Sequence, residues 1–250
     1  MKQETTLTAG ETALREGLRI WAEVDLDAIE ANVRALCERA GEAKLLAVVK
    51  GNAYGHGAIA VAQAAVAAGA WGLGVISVDE GEYLRAAGIE APLLVLGPSA
   101  PVLARRLVAA DLRVTVGSIE LGQALSDAAR AAGRTARVHV KVETGLNRFG
   151  LQPDEAVALA EALRALAAVE VEGLATHLAS VDEGDKTFTH AQHEAFHRSA
   201  QRLDWVPLHH VSSTGGLLDL PNLRLGMVRA GIGVYGYYPS DEVSHDLALR

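Results

Sequence analysis

The chain has 250 residues, half of them hydrophobic, which is enough to bury a sizeable core; aromatics are only 4%, so that core must be built from Ala, Val and Leu. The formal net charge is −8 and Lys and Arg do not cluster, which argues against a nucleic-acid or anionic-membrane partner. The single cysteine, Cys37, has no intramolecular disulfide partner and suits a reducing cytoplasm, while the polar opening residues lack a secretory h-region and no apolar run approaches a membrane span.

Residues 1–15 read as a disordered tail. Trp21-Ala22-Glu23-Val24-Asp25 alternates as a short half-buried strand does. Asp27 is placed to cap a helix whose apolar face is Ile29, Val33 and Leu36, ended by Gly41. Leu45-Leu46-Ala47-Val48-Val49 then reads as a fully buried strand. Lys50 stands directly after it and is followed by loop chemistry, Gly51-Asn52-Ala53-Tyr54-Gly55-His56-Gly57. From there strands are expected at 71–76, 92–96, 112–116, 136–142, 171–176, 207–211 and 232–235. Helices are expected at 58–68, 79–87, 101–110, 118–133 and 186–203, with a further one opened by Pro153 as an N1 proline.

Strict β/α alternation implies a parallel sheet covered by helices. Eight alternating units over this length suggest an α/β (β/α)8 TIM barrel; an open doubly wound sheet is the alternative, but no Gly-x-Gly-x-x-Gly follows an early strand. The Trp21 strand is surplus and is expected outside the barrel. The expected division is a tail at 1–15, a barrel domain at 16–240 and, at 241–250, the start of a linker.

In a barrel, chemistry sits where strands end at the C-terminal face. A lysine at the end of a buried strand is a usable nucleophile or base and can form a Schiff base with a carbonyl, including that of pyridoxal phosphate. Arg148, in a loop after a strand, offers a planar fork suited to a carboxylate or phenolate. His177 follows a buried strand and can lie against an aromatic cofactor. Ser212 and Ser213 place hydroxyls and N–H groups at a helix start, either as an anion site or as a plain cap, with Gly231 and Ile232 adding backbone donors. His193-Glu194-Ala195-Phe196-His197 fits the zinc-protease pattern, but Phe188, Ala195, Phe196, Ala200 and Leu203 mark the buried stripe and turn both histidines towards solvent, so no metal site is expected.

Ala47-Val48-Val49-Lys50-Gly51-Asn52-Ala53-Tyr54-Gly55-His56-Gly57 resembles the cofactor-lysine motif of the pyridoxal-phosphate-dependent alanine racemases. Lys141-Val142-Glu143-Thr144-Gly145-Leu146-Asn147-Arg148-Phe149-Gly150 resembles the same family's substrate-arginine motif, with Glu143 in place of Asp and Asn147 in place of Gly. The run from Leu223 to Gly236 resembles its second strong signature, with Ala230 in place of Pro, and Ser212-Ser213 stands where Asn-Ser is usual. The resemblance covers about residues 20–240, in the family's order.

That resemblance implies pyridoxal 5′-phosphate as cofactor, with Lys50 as the Schiff-base lysine and catalytic base. It assigns Arg148 to the substrate, His177 to the face of the pyridine ring and Arg229 to the ring nitrogen. Ser212, Ser213, Gly231, Ile232 and Tyr54 go to the phosphate region, and Leu96 to the pocket wall. The implied reaction is racemisation of L-alanine to D-alanine, for peptidoglycan, by a cytoplasmic homodimer. Inversion needs a second acid or base, which the family takes from a tyrosine in a C-terminal β-domain of the other subunit. Tyr54, Tyr83, Tyr235, Tyr237 and Tyr238 all have other settings, so the chain is expected to be the barrel part alone, binding cofactor with little activity. The alternatives are a non-catalytic pyridoxal-phosphate barrel for cofactor homeostasis and a racemase for another small amino acid.

Overall fold

The computed structural model describes residues 22–250 together with Gly17 and Ile20. Helix α1 (Leu26–Ala40) comes first. Its cap is Asp25, whose side chain accepts from the Ala28 amide at 3.0 Å; Asp27, the residue expected in that role, lies within the first turn, where its charge still favours the helix N-terminus. Gly41, at φ 66°, ends the helix in a conformation that costs other residues strain. Ile29, Val33 and Leu36 form the buried face as expected.

Eight strands follow in alternation with helices. They are β1 (Lys44–Val48), β2 (Gly72–Val75), β3 (Leu93–Val95), β4 (Leu112–Val116), β5 (Ala136–Lys141), β6 (Val169–Ala175), β7 (Leu208–His210) and β8 (Met227–Ala230). Between them run α2 (Ala58–Ala67), α3 (Val78–Ala86), α4 (Ala104–Ala109), α5 (Ile119–Ala132), α6 (Pro153–Arg164), α7 (Thr187–Arg202) and the short α8 (Thr214–Asp219). Among the described residues every strand pairing is parallel, in the order β7-β6-β5-β4-β3-β2-β1-β8. Two backbone bonds, Gly226 N to His209 O at 3.1 Å and Arg229 N to Ser212 O at 3.0 Å, bring β7 against β8 and nearly close the barrel. The fold is the expected TIM barrel.

Two strand expectations are corrected. Residues 232–235 form a 3-10 turn, and the eighth strand is Met227–Ala230, five residues earlier. The run Ile232-Gly233-Val234-Tyr235 is apolar throughout, whereas the strand itself carries Arg229, which points into the barrel. Residues 22–25 carry no strand pairing, and Trp21 lies outside the described residues, as does the 1–15 tail. At the other end, residues 241–250 have no helix or strand; Asn32 of α1 pairs with both backbone groups of Arg250, at 2.9 and 2.7 Å.

Strand alternation sorts the core into two parts. Leu45, Ala47 and Val49 join the large cluster between sheet and helices. Leu46, Leu94, Leu208 and Met227 form a second, small cluster that fills the floor of the lumen. Gly74 is small for a reason: a Cβ there would meet Leu96 Cδ1 at 2.8 Å. Above that floor the lumen is polar, and its mouth carries the site.

Candidate active site

Past β1 the chain turns with the opposite hand. Gly51, Asn52, Ala53 and Tyr54 all have positive φ, between 51° and 62°. For the three non-glycine residues this costs about 1–2 kcal/mol each. Specific bonds offset it. Glu80 accepts from the Gly51 amide at 2.7 Å and the Ile76 amide at 2.8 Å, and Asn52 Oδ1 takes the Ala58 amide at 2.8 Å. The Tyr235 hydroxyl donates to the Val48 carbonyl at 2.9 Å, and its ring packs on Tyr54 and His56 at 5.3 and 4.7 Å between centroids. The result holds Lys50 at the barrel mouth, its Nζ 5.8 Å from the centre of the Tyr54 ring.

The loop after β5 carries Arg148. Glu143 shapes it, accepting from the Gly145 amide at 2.6 Å; burial works against its charge, but the amides of Asn147, Gly145 and Leu146 win and lower its pKa. Asn147 has φ 57°, a conformation asparagine tolerates well, so the residue in place of glycine fits the loop. Lys141, at the end of β5, donates to the Phe149 carbonyl at 2.8 Å and lies 3.7 Å from that ring's centre. Burial, then Arg148, brings its pKa down to about 8.

Arg229 is buried in the lumen and heavily committed. Nη1 donates to His210 Nδ1 at 2.6 Å and to the His210 carbonyl at 2.9 Å. Nη2 donates to the carbonyls of Thr176 at 2.7 Å and Val211 at 3.0 Å, and reaches His177 Nδ1 at 3.3 Å. Among the described residues Nε alone has no partner. Burial, then Arg148, lowers the Arg229 pKa to about 10, still well above neutrality. Burial followed by Arg229, Arg148, Lys141 and Lys50 drives His177 down to about 3, so its imidazole is neutral at pH 7.

These groups share one cavity of about 670 Å³. Lys50, Tyr54, Leu96, Arg148, His177, Ser213, Arg229, Gly231 and Ile232 all line it. Ser212 does not: it is fully buried, with its hydroxyl given to the Leu223 carbonyl at 2.7 Å. Ser213 makes no capping bond with its side chain, leaving that hydroxyl to the cavity. Gly231 has no Cβ, and one placed there would come within 3.3 Å of the Tyr54 hydroxyl.

The residues not anticipated are Lys141, Thr176, His139, His210 and Glu172. The signal for His139 and Lys141 lies in Arg137-Val138-His139-Val140-Lys141, where polar residues alternate with valine. The zinc-protease pattern sits on α7, whose buried positions are Thr189, Gln192, Phe196, Ser199 and Ala200. Phe188, placed in that stripe by sequence, is 48% exposed. His193 and His197 stack at 6.1 Å, and among the described residues no group of three potential ligands is placed to hold a metal.

A parallel barrel thus brings a lysine, two arginines and a neutral histidine to one mouth. The profile of the family "Alanine racemase, N-terminal domain" matches residues 24–239, and the chain belongs to that family. It is 46% identical over 239 residues to alanine racemase of Symbiobacterium thermophilum, spanning 94% of this chain and 63% of that protein. With the Thermobifida fusca alanine racemase it shares 43% over 227 residues, 87% of this chain and 60% of the relative. Alanine racemase of Clostridium difficile 630, solved in complex with cycloserine, superposes with TM-score 0.88 at 37% identity, covering 92% of this chain and 65% of that one. The Bacillus anthracis enzyme with bound L-Ala-P gives 0.84 at 34% identity, covering 92% and 61%. The chain thus spans about three fifths of the length of the relatives it matches.

Proposed function

We propose that this chain is the cofactor-binding barrel of a pyridoxal-phosphate-dependent racemase of alanine. The observation that carries the reading is the convergence of Lys50, Arg148, His177 and Arg229 on one cavity within a chain so similar to alanine racemases. The residues present fit the cofactor. The unpartnered Arg229 Nε suits a ring nitrogen, which needs one donor, and the space beside Gly231, Tyr54 and Ser213 suits a phosphate. When bound, pyridoxal phosphate supplies an electron sink for the bond broken at the substrate Cα.

The chain's residues supply the rest. Lys50 would hold the cofactor and, once freed, move a proton at one face of Cα, a contribution on the order of 10²–10⁴ in rate. Arg148 would bind the substrate carboxylate as a fork. Arg229 keeps its own proton, so it would donate to the ring nitrogen without protonating it, which would temper the sink and disfavour side reactions such as transamination. Neutral His177, which lines the same cavity, would lie beside the ring without adding charge. Of the tyrosines, Tyr235 and Tyr238 spend their hydroxyls on the carbonyls of Val48 and Leu247. We infer that the acid or base for the opposite face comes from outside these 250 residues, in a homodimer, and that this chain alone binds cofactor without racemising alanine.

The test is to add pyridoxal phosphate, reduce with borohydride, digest and map the adduct. One stoichiometric phosphopyridoxyl group on Lys50, lost in Lys50→Ala, is expected. Scattered labelling of surface lysines would refute the cofactor assignment, and alanine racemisation by the chain alone would refute the need for an outside group.

A further inference from the structure

Beneath the cavity a line of polar side chains crosses the lumen, and its protons can be placed. Arginine has donors only. Since Arg229 Nη1 lies 2.6 Å from His210 Nδ1, that nitrogen presents a lone pair. His210 is fully buried; burial first, then Arg229, His139 and His209, holds its pKa well below 6.5, so it is neutral and its one proton is on Nε2. That proton points at His139 Nδ1, 2.8 Å away, which must accept. Burial outweighs Glu172 in lowering the His139 pKa, so His139 is neutral too, with its proton on Nε2, 2.9 Å from Glu172 Oε2.

The far end can be read independently. Burial opposes ionisation of Glu172, but hydrogen bonds from His139 and Arg113 bring its pKa to about 2, so it is a carboxylate and accepts only. The Arg113 Nε donates to the same oxygen at 2.7 Å. An obligate donor at one end and an obligate acceptor at the other impose the same direction on both rings. The backbone makes room for this. The β5–β6 register pairs Val138 with Val171 but His139 with Gly173, leaving Glu172 as the extra residue of a bulge. A Cβ on Gly173 would lie 2.2 Å from His139 Nδ1.

We propose that Glu172 is a positioning residue for Arg229, acting through His139 and His210 to fix both rings as Nε2–H tautomers and so present a bare Nδ1 to the guanidinium. With Nη1 and Nη2 held, Nε is the donor left for the cavity. The purpose of that donor rests on the functional reading above; the ordering of the rings does not.

The experiment uses the chain labelled with ¹⁵N-histidine and two-bond ¹H–¹⁵N correlation at pH 7, without cofactor. Both His139 and His210 are expected to show the neutral Nε2–H pattern. Glu172→Ala leaves Arg113, a donor, facing His139; loss of the pattern there and a displaced His210 signal, two links away, are expected. Glu172→Gln keeps an acceptor in place and is expected to retain both. An Nδ1–H or doubly protonated ring in the unaltered chain overturns the proposal, as does an unmoved His210 in folded Glu172→Ala. If Glu172→Ala does not fold, the unaltered chain and Glu172→Gln decide. Failure of the functional reading shows separately, as absence of the Lys50 adduct.

Discussion

Two sides of the same lumen are built differently. Strands β1 to β3 turn Leu46, Gly72, Gly74 and Leu94 inward, while β5 to β8, above the floor that Leu208 and Met227 help to fill, turn His139, Lys141, His210 and Arg229 inward. The apolar side gains from burial that has no direction, so several packings would serve it about equally. The polar side is tolerated only because each group meets a partner, and hydrogen bonds have direction. One side therefore supplies volume and the other a single arrangement.

Arg229→Leu breaks this contrast hardest. It leaves His210 Nδ1 and the buried carbonyls of Thr176 and Val211 without that donor, an expected loss on the order of 3–5 kcal/mol, read as a lower urea midpoint. On the apolar side Leu46→Ala is expected to cost about 3 kcal/mol while leaving the Lys50 adduct intact. If Leu46→Ala proved the costlier and also abolished the adduct, the division of labour would be wrong.

Acid sharpens the comparison. A His177 pKa of about 3 in the folded chain lies below its ordinary 6.5, so the unfolded chain binds the proton first and stability falls as pH drops below 6.5. Over the next two or so pH units His177 alone removes about 2 kcal/mol, at about 1.4 kcal/mol per unit, and His210 and His139 add in the same sense. The carboxylate of Glu172 follows lower still, its stabilisation present above about 4.5 and lost as pH falls through about 2. Urea midpoints of the cofactor-free chain against pH check this; a flat profile between 6.5 and 4.5 would contradict neutral His177. The smallest effect is Tyr235→Phe, which removes one bond to the Val48 carbonyl and should cost about 1 kcal/mol by thermal unfolding.

The apolar side was the legible one. Runs such as Leu45-Leu46-Ala47-Val48-Val49 announce buried strands, and their spacing yields the barrel and puts Lys50 at its mouth. The polar side was hidden by the same logic. Alternation in Arg137-Val138-His139-Val140-Lys141 looks like a strand with one wet face, and only closure of the sheet turns that face into a lumen. The eighth strand was misplaced because the apolar run Ile232-Gly233-Val234-Tyr235 reads as a strand, while the strand itself, Met227–Ala230, carries a charged side chain in the lumen. Ser212 and Ser213 differ by one register step, and sequence spacing does not say which hydroxyl the Leu223 carbonyl takes.

The thin seam between β7 and β8 has a further consequence. Two backbone bonds span it, and the guanidinium of Arg229 reaches from β8 to carbonyls at the ends of both β6 and β7. That side chain is a clasp on the circumference as well as a donor to the cavity. Amides at the seam should be among the first in the sheet to exchange with solvent, and anything that draws Arg229 forward loosens the wall behind it. Circumference and ligand grip are thereby one adjustable quantity.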